Sequence, residues 1–335
     1  MPSRKHPNYI VGVDLGGTNI VAGALPDDGS TVIAIRGEPT RANQGADAVI
    51  DRIVRIIDTV IAETIAQTGI KRSDIVGIGV GAPGPLERER GIVVTTPNLG
   101  WTNFPLRDVV FQRTGIETRI DNDANCATYG EFWLGAARGG RNVVGMTIGT
   151  GIGGGLILDG KLYHGSSDVA GEIGHATIDV TGRLCKCGNY GCLEAYASGP
   201  SIAARAREAV TGDEESLLYR MVQGDLGRIT AATVYEAAKL GDEAAVDVVR
   251  ETARFLGAGI ANLLNIFNPD VVVLAGGVTQ AGDTLFDPLR KEVKRRAFRP
   301  AVEACRIVPG SLQGSAGVVG AVGSFKQQTH SAERA

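Results

Sequence analysis

Gly149-Thr150-Gly151-Ile152-Gly153-Gly154-Gly155 runs directly into Leu156-Ile157-Leu158-Asp159-Gly160. Gly149, Gly151 and Gly154 match the spacing of the dinucleotide fingerprint, which requires a helix immediately afterwards. Here Gly155–Leu158 reads instead as a strand, and Asp159-Gly160 as a two-residue hairpin turn. No Gly-Lys-Ser/Thr follows, so a Walker A loop is excluded as well. The preceding Val143–Ile148 also reads as a strand, which makes this a glycine loop joining strand to strand. Five glycines in seven positions weaken regular structure unless close backbone access is needed.

The same pattern occurs near the N-terminus. Asp14-Leu15-Gly16-Gly17-Thr18-Asn19 leaves one strand, Tyr9–Asp14, and enters another, Asn19–Leu25. Val11 through Leu25 can be laid over Val144 through Leu158 without a gap, which predicts an internal duplication with two phosphate-facing hairpins across a cleft. Adjacent glycines let backbone N–H groups approach an anion, and the Thr18 hydroxyl adds a donor. Asp14, at its strand's end, is placed to hold Mg²⁺ beside phosphates; a simple turn cap is the alternative. Thr150 is the threonine of the second loop. A third pair, Gly276-Gly277, follows the buried strand Val271–Ala275, where it either bears a nucleoside or turns the chain into a helix.

Between these loops, Thr31–Glu38 reads as a third antiparallel strand and Asp47–Thr68 as a helix that Gly69 terminates. Ile75–Val80 and Glu117–Ile120 read as strands, Leu106–Arg113 and Ala124–Leu134 as helices. Asp242–Phe267 is a long helix stopped by Asn268-Pro269, and Ala316–Phe325 a last helix rich in small residues.

The chain has 335 residues, enough for two domains of ~150 residues. Its hydrophobic content of 43% and charged content of 21% are those of a globular protein. Forty-seven glycines are about twice the ~7% background, and their clustering hints at a nucleotide site. A net charge of −3 with no basic block argues against nucleic acid or membrane surfaces as partners. No signal-type or membrane-length apolar run occurs, so a cytoplasmic location is expected.

Two clusters carry chemistry. In Asp121-Asn122-Asp123-Ala124-Asn125 a strand end meets a helix start. Asn122 or Asp123 caps the helix on one reading; on the other, a fixed carboxylate accepts a proton from a hydroxyl as it attacks phosphorus. The second cluster is His175, Cys185, Cys187 and Cys192, one imidazole and three thiols. That set suits a closed, tetrahedral, structural Zn²⁺. Glu172 and Glu194 flank it, either facing a polyol or solvated at the surface.

Taken in order, these motifs, with Pro97-Asn98-Leu99-Gly100-Trp101, Glu172-Ile173-Gly174-His175 and Cys185 through Glu194, resemble the ROK group of repressors, open reading frames and kinases. The likeness runs from about Tyr9 to Phe325. It implies an α/β fold of two actin-like ATPase lobes, a duplicated ribonuclease-H-like unit, with a small zinc knot. The lobes would span 1–122 with the terminal helix 316–335, and 123–315 with the knot at 175–192. It implies an ATP- and Mg²⁺-dependent hexose kinase in which Asp123 is the base. Gly84, Asn98, Asn122, Glu172, His175 and Glu194 would hold the sugar, His175 also binding zinc. Asp14, Gly16, Gly17, Thr18, Gly149, Thr150, Gly151, Gly276 and Gly277 would bind the nucleotide. Only eight residues precede Tyr9, so the family's DNA-binding module is not expected. Thr95 through Trp101 looks most like the glucose-phosphorylating members; an N-acetylmannosamine kinase is the alternative, and a non-catalytic sugar sensor a more distant one. A homo-oligomer, dimer or tetramer, is implied as well.

Overall fold

The computed structural model describes residues Pro7–Ala332. Met1–His6 and Glu333–Ala335, the outer ends of the expected N-terminal lobe and terminal helix, lie outside the described residues. The first half runs β1 (Tyr9–Leu15), β2 (Asn19–Pro26), β3 (Ala34–Pro39), α1 (Ala46–Thr68), β4 (Ile75–Ala82), β5 (Leu86–Glu87), β6 (Ile92–Thr96), β7 (Trp101–Phe104), α2 (Leu106–Thr114), β8 (Thr118–Asn122) and α3 (Asp123–Trp133). Then come β9 (Val143–Ile148), β10 (Ile152–Leu158), β11 (Lys161–Leu162), α4 (Glu194–Ala197), α5 (Gly199–Val210), α6 (Leu217–Met221), α7 (Ala231–Lys239) and α8 (Glu243–Phe267). The chain ends with β12 (Val271–Ala275), α9 (Asp283–Arg296), α10 (Arg299–Ala304), β13 (Arg306–Pro309) and α11 (Ala316–Ala332).

Two five-stranded sheets repeat one plan. The first has the order β3-β2-β1-β4-β8 and the second β11-β10-β9-β12-β13. In each, a hairpin supplies antiparallel pairs and two crossover strands add parallel ones. The central β1 is almost wholly buried, as a strand covered on both faces must be. The duplication expected from the sequence is therefore present, with one correction. Leu15 pairs with Ile20 across a four-residue loop, whereas Ile148 pairs with Ile152 across three. The ungapped match is thus one residue out along the second strand, and Gly23 corresponds to Gly155 rather than to Leu156. A one-residue slip moves every side chain to the other face of a sheet, so the distinction matters.

The glycines also need correction. Gly153, Gly154 and Gly155 lie inside β10 rather than in the loop. Gly145 and Gly155 face each other across the second hairpin, and a Cβ on either would fall within 2.1–2.5 Å of the Thr128 hydroxyl of α3. Gly12 and Gly23 face each other in the first, and a Cβ on Gly12 would lie 2.1 Å from the Val318 carbonyl of α11. Paired glycines therefore admit one helix against each sheet. The two helices also touch each other, since a Cβ on Gly320 of α11 would lie 1.5 Å from the Cys126 carbonyl of α3. Much of the glycine enrichment thus serves close helix packing rather than phosphate contact.

Other elements follow their local signals. Gly69 ends α1 in the left-handed conformation, and Asp242 caps α8 by accepting from the Ala245 N–H. Asp159 and Gly160 both have positive φ, as a type I′ turn between β10 and β11 requires. The strand expected at Thr31 begins only at Ala34. The three-stranded sheet β5-β6-β7 carries no clear periodicity and was not foreseen, nor were α5 to α7, α9 and α10. Among the described residues no helix is long and apolar enough to cross a membrane.

Gly320→Ala separates helix propensity from packing. Alanine in a helix interior ordinarily gains up to ~1 kcal/mol over glycine. Here overpacking against the Cys126 carbonyl reverses the sign, and a net loss of about 1–3 kcal/mol is expected in denaturant unfolding. A stabilised variant would refute the contact.

Candidate active site

The turn from β8 into α3 positions the central carboxylate. Asn122 is the N-cap of α3, its side-chain oxygen accepting from the N–H groups of Ala124 at 2.9 Å and Asn125 at 3.2 Å. Its amide nitrogen is left to donate to the Gly84 carbonyl at 3.4 Å. Asp123, the first residue of the helix, accepts from the Ala124 N–H at 2.8 Å. The cap reading therefore holds for Asn122, while Asp123 lines a cavity.

That cavity, of about 300 Å³, is lined by Gly84, Asn98, Asn122, Asp123, Glu172, His175 and Glu194 together with Gly151 and Asp168. These nine polar or glycine positions, drawn from residues 84 to 194, meet here. Glu172 and His175 come from a single 3-10 turn at Ile173–His175 and its first flanking residue. Glu194 opens α4 and accepts from the Ile152 N–H at 2.8 Å. Both glutamates line the cavity, Glu194 half-buried and Glu172 exposed.

Electrostatics link this cavity to a second one. Burial, with repulsion from Glu172, raises the Asp123 carboxyl above its ordinary range, although the Ala124 N–H opposes the shift. Burial, with repulsion from Asp123, lifts Asp14 from 3.8 to about 7. Asp14 faces a larger cavity of about 800 Å³, whose walls include Gly276, Gly277 and Gly317. Gly276 has φ +96°, and a Cβ there would lie 2.4 Å from the Ile148 carbonyl. The pair does turn the chain into a helix, through a short 3-10 segment at Gly277–Ala281.

The expected nucleotide residues divide. Asp14, Gly276 and Gly277 share the larger cavity, whereas Gly151 belongs to the smaller one. Gly16, Gly17, Thr18 and Gly149 line neither; a Cβ on Gly17 would lie 3.1 Å from that of Asn98, and the Gly16 N–H closes its own turn on the Asn19 carbonyl. Thr150 lines a separate cavity of about 240 Å³ beside Arg183 and Glu194.

Two positioning groups escaped sequence reasoning. Glu131 of α3 is 2% exposed, and its carboxylate accepts from the N–H groups of Ala136 at 2.8 Å, Ser311 at 3.0 Å and Leu312 at 2.8 Å. It thereby ties the 310–314 wall of the larger cavity to α3. Asp121 is 1% exposed and accepts from the Ser324 hydroxyl at 2.5 Å and the Asn122 N–H at 2.8 Å. His164 lies 3.0 Å away and Arg88 3.7 Å. Burial opposes its ionisation, yet the His164 hydrogen bond, the His164 and Arg88 charges and Ser324 together hold it below the usual carboxylate range. Nothing local to either residue signals these partners.

His175, Cys185, Cys187 and Cys192 also converge, their ligand atoms all within 4.8 Å of one another. Cys187 and Cys192 sulfurs are 3.7 Å apart, and the Cys185 sulfur is 3.8 Å from His175 Nδ1. Tetrahedral zinc with Zn–S ~2.3 Å gives edges of about 3.8 Å, so the donor set fits. With Nδ1 directed at Cys185, Nε2 is the ring nitrogen left for the cavity.

The sequence profile of the ROK family matches residues 10–328. The chain belongs to the ROK family. It is 39% identical over 328 residues to the glucokinase of Halalkalibacterium halodurans, covering 97% of each chain. With the glucokinase of Thermotoga maritima it shares 36% identity, covering 98% of this chain and 99% of that one. A ROK family glucokinase from Streptomyces griseus, solved with glucose and AMPPNP, superposes with a TM-score of 0.80 at 35% identity. That match covers 96% of this chain and all of the other. The two-lobed ROK architecture expected from the sequence is thus the one observed.

Elemental analysis of the purified protein is expected to return one zinc per chain. Cys187→Ser should lower the melting temperature and hexose affinity together, because the same knot carries His175 and leads into Glu194. Metal-free protein with unchanged melting would refute the assignment.

Proposed function

We propose that this ROK protein is an ATP-dependent glucokinase, transferring the γ-phosphoryl group of ATP to the 6-hydroxyl of glucose. One observation carries the reading. Asp123 is a half-buried carboxylate at a helix N-terminus, its pKa raised by desolvation and by Glu172, in a polar cavity beside a larger one lined by Asp14. Phosphoryl transfer relies mainly on positioning and charge stabilisation, so a fixed base between a sugar site and a nucleotide site is the required arrangement.

The sugar occupies the smaller cavity, at the lower end of the ~300–1,000 Å³ range of ligand sites. Asn98, Asn122, Glu172, His175 and Glu194 hold its ring hydroxyls, with Gly84 lining the wall. The 6-hydroxyl faces Asp123, which takes its proton as the oxygen attacks phosphorus. The larger cavity takes the nucleotide, with Gly276 and Gly277 giving the backbone surface. Asp14 would hold Mg²⁺, which supplies charge neutralisation at the transferred phosphate when bound. The zinc knot keeps Glu172, His175 and Glu194 in one orientation.

Asp123→Asn is expected to keep glucose binding while kcat falls by ~10²–10⁴-fold, the usual cost of losing a general base. A variant with more than about half the wild-type kcat would exclude Asp123 as the base. The pH profile has a definite sign. Asp123 works ionised, and its raised pKa means that protonation disables it at a higher pH than for an ordinary aspartate. Because Asp14 and Asp123 interact, the acid limb of kcat/KM belongs to the pair and should lie above the usual carboxylate range, towards the Asp14 value of about 7. A limb at or below pH 4 would contradict the burial argument.

Steady-state rates on glucose, mannose, fructose and N-acetylmannosamine test the substrate. Glucose is expected to give the highest kcat/KM, since sites built to pair with hydroxyls discriminate strongly against mismatched groups. A preference for the acetylated sugar would overturn the glucose assignment and leave the kinase chemistry standing.

A further inference from the structure

A third cleft, of about 420 Å³, lies away from both cavities, where the edge strand β8, the late turns of α11 and the edge strand β11 approach one another. Arg88, Arg119, Lys161 and His164 face it, against the single carboxylate of Glu89. Arg88 and His164 are largely buried, with side-chain exposures of 18% and 13%. The Arg119 Nε is buried without a hydrogen-bond partner. Lys161 forms no ion pair among the described residues. Behind the wall, Asp121 and Asp168 balance Arg88, and Glu117 balances Arg119. What lines the cleft is an unmatched ammonium, a guanidinium whose buried Nε lacks a partner, and two part-buried donors. Buried donors without partners ordinarily signal an acceptor that belongs there.

We propose that this cleft binds a small phosphate anion, either inorganic phosphate or the phosphate of a phosphomonoester, and that its occupancy weakens hexose binding. A phosphate offers several acceptor oxygens to a lysine and planar guanidinium groups, the geometry these side chains favour. The charges behind the wall make it a site of modest affinity rather than a tight one.

The coupling runs through Arg88. Its backbone N–H and Nε donate to Asp168 at 3.1 and 3.3 Å, and Asp168 lines the sugar cavity. Its guanidinium also faces Asp121, as does His164, and Asp121 accepts from the Asn122 N–H and the Asn125 side chain on either side of Asp123. An anion that engages Arg88 and His164 competes for groups that fix one wall of the sugar cavity. Binding at the two sites is then reciprocally linked. This consequence rests on the hexose-kinase reading; anion binding does not.

Titration calorimetry with inorganic phosphate and with ribose 5-phosphate tests it, on intact protein saturated with a non-hydrolysable ATP analogue to block the nucleotide cavity. Wild type is expected to bind at least one of them, with Lys161→Ala weakening binding about fivefold or more and Arg119→Ala/Lys161→Ala abolishing it. Comparable binding of the two probes identifies the free ion as sufficient; tighter binding of ribose 5-phosphate identifies the monoester. In turnover assays the same anion should raise the hexose KM about fivefold or more, with kcat little changed, in wild type and not in Lys161→Ala. Neither Lys161 nor Arg119 touches the proposed catalytic groups, so basal rates should be kept. No binding of either probe, or binding that Lys161→Ala leaves intact, overturns the site. Binding without any change in hexose KM overturns the coupling, and absent turnover with intact binding would count against the kinase reading alone.

Discussion

Two helices, α3 and α11, lie at backbone contact with each other and with a sheet apiece, and the rest of the molecule is arranged around that contact. Such an approach is open only where side chains stop at hydrogen. Gly320 meets the Cys126 carbonyl, Gly130 meets Ala316, and the paired glycines of the two hairpins admit Val318 and Thr128. Protein interiors are close-packed and respond to a single added methyl group. The small residues at these positions therefore set the spacing of the two sheets.

The crossing also places the chemistry. α3 begins at Asp123, so its N-terminus opens into the smaller cavity, while Ala316 and Gly317 at the start of α11 line the larger one. Both helix N-termini, the positive ends of their dipoles, thus border the two cavities in which the proposed reading puts carboxylate and phosphate charge. The cost is a chain of carboxylates, Asp14, Asp123 and Glu172, held close enough to repel. Burial and repulsion raise the first two, and this is the direction a proton acceptor working near neutral pH requires.

Around that chain, the buried carboxylates Glu131 and Asp121 act as fixed points. Each collects several hydrogen-bond donors: Glu131 the N–H groups of the 311–312 loop, Asp121 an N–H from its own turn and the hydroxyl of Ser324 of α11. A buried carboxylate with several donors is rigid in a way that a surface pair is not. The walls of the two cavities are consequently held to the same two helices that set their separation.

The amino-acid sequence alone determined what depends on near neighbours. The strand–glycine–strand loops, the Asp159-Gly160 turn, the cap before Ala124 and the closely spaced Cys185, Cys187 and Cys192 are legible because their geometry closes within a few residues. The residues that line the smaller cavity were legible only jointly, as an ordered set of motifs. Tertiary structure decided the rest: that Gly153 to Gly155 belong to a strand under α3, that Asp14 and Asp123 interact, and that Thr150 lies off both main cavities. It also decided that Glu131 grips a loop 181 residues away and Asp121 a serine 203 residues away. No local periodicity encodes such pairs, because a glycine needed for a turn and one needed to admit a helix look the same in sequence. Only the packed backbone shows which atom a Cβ would have struck.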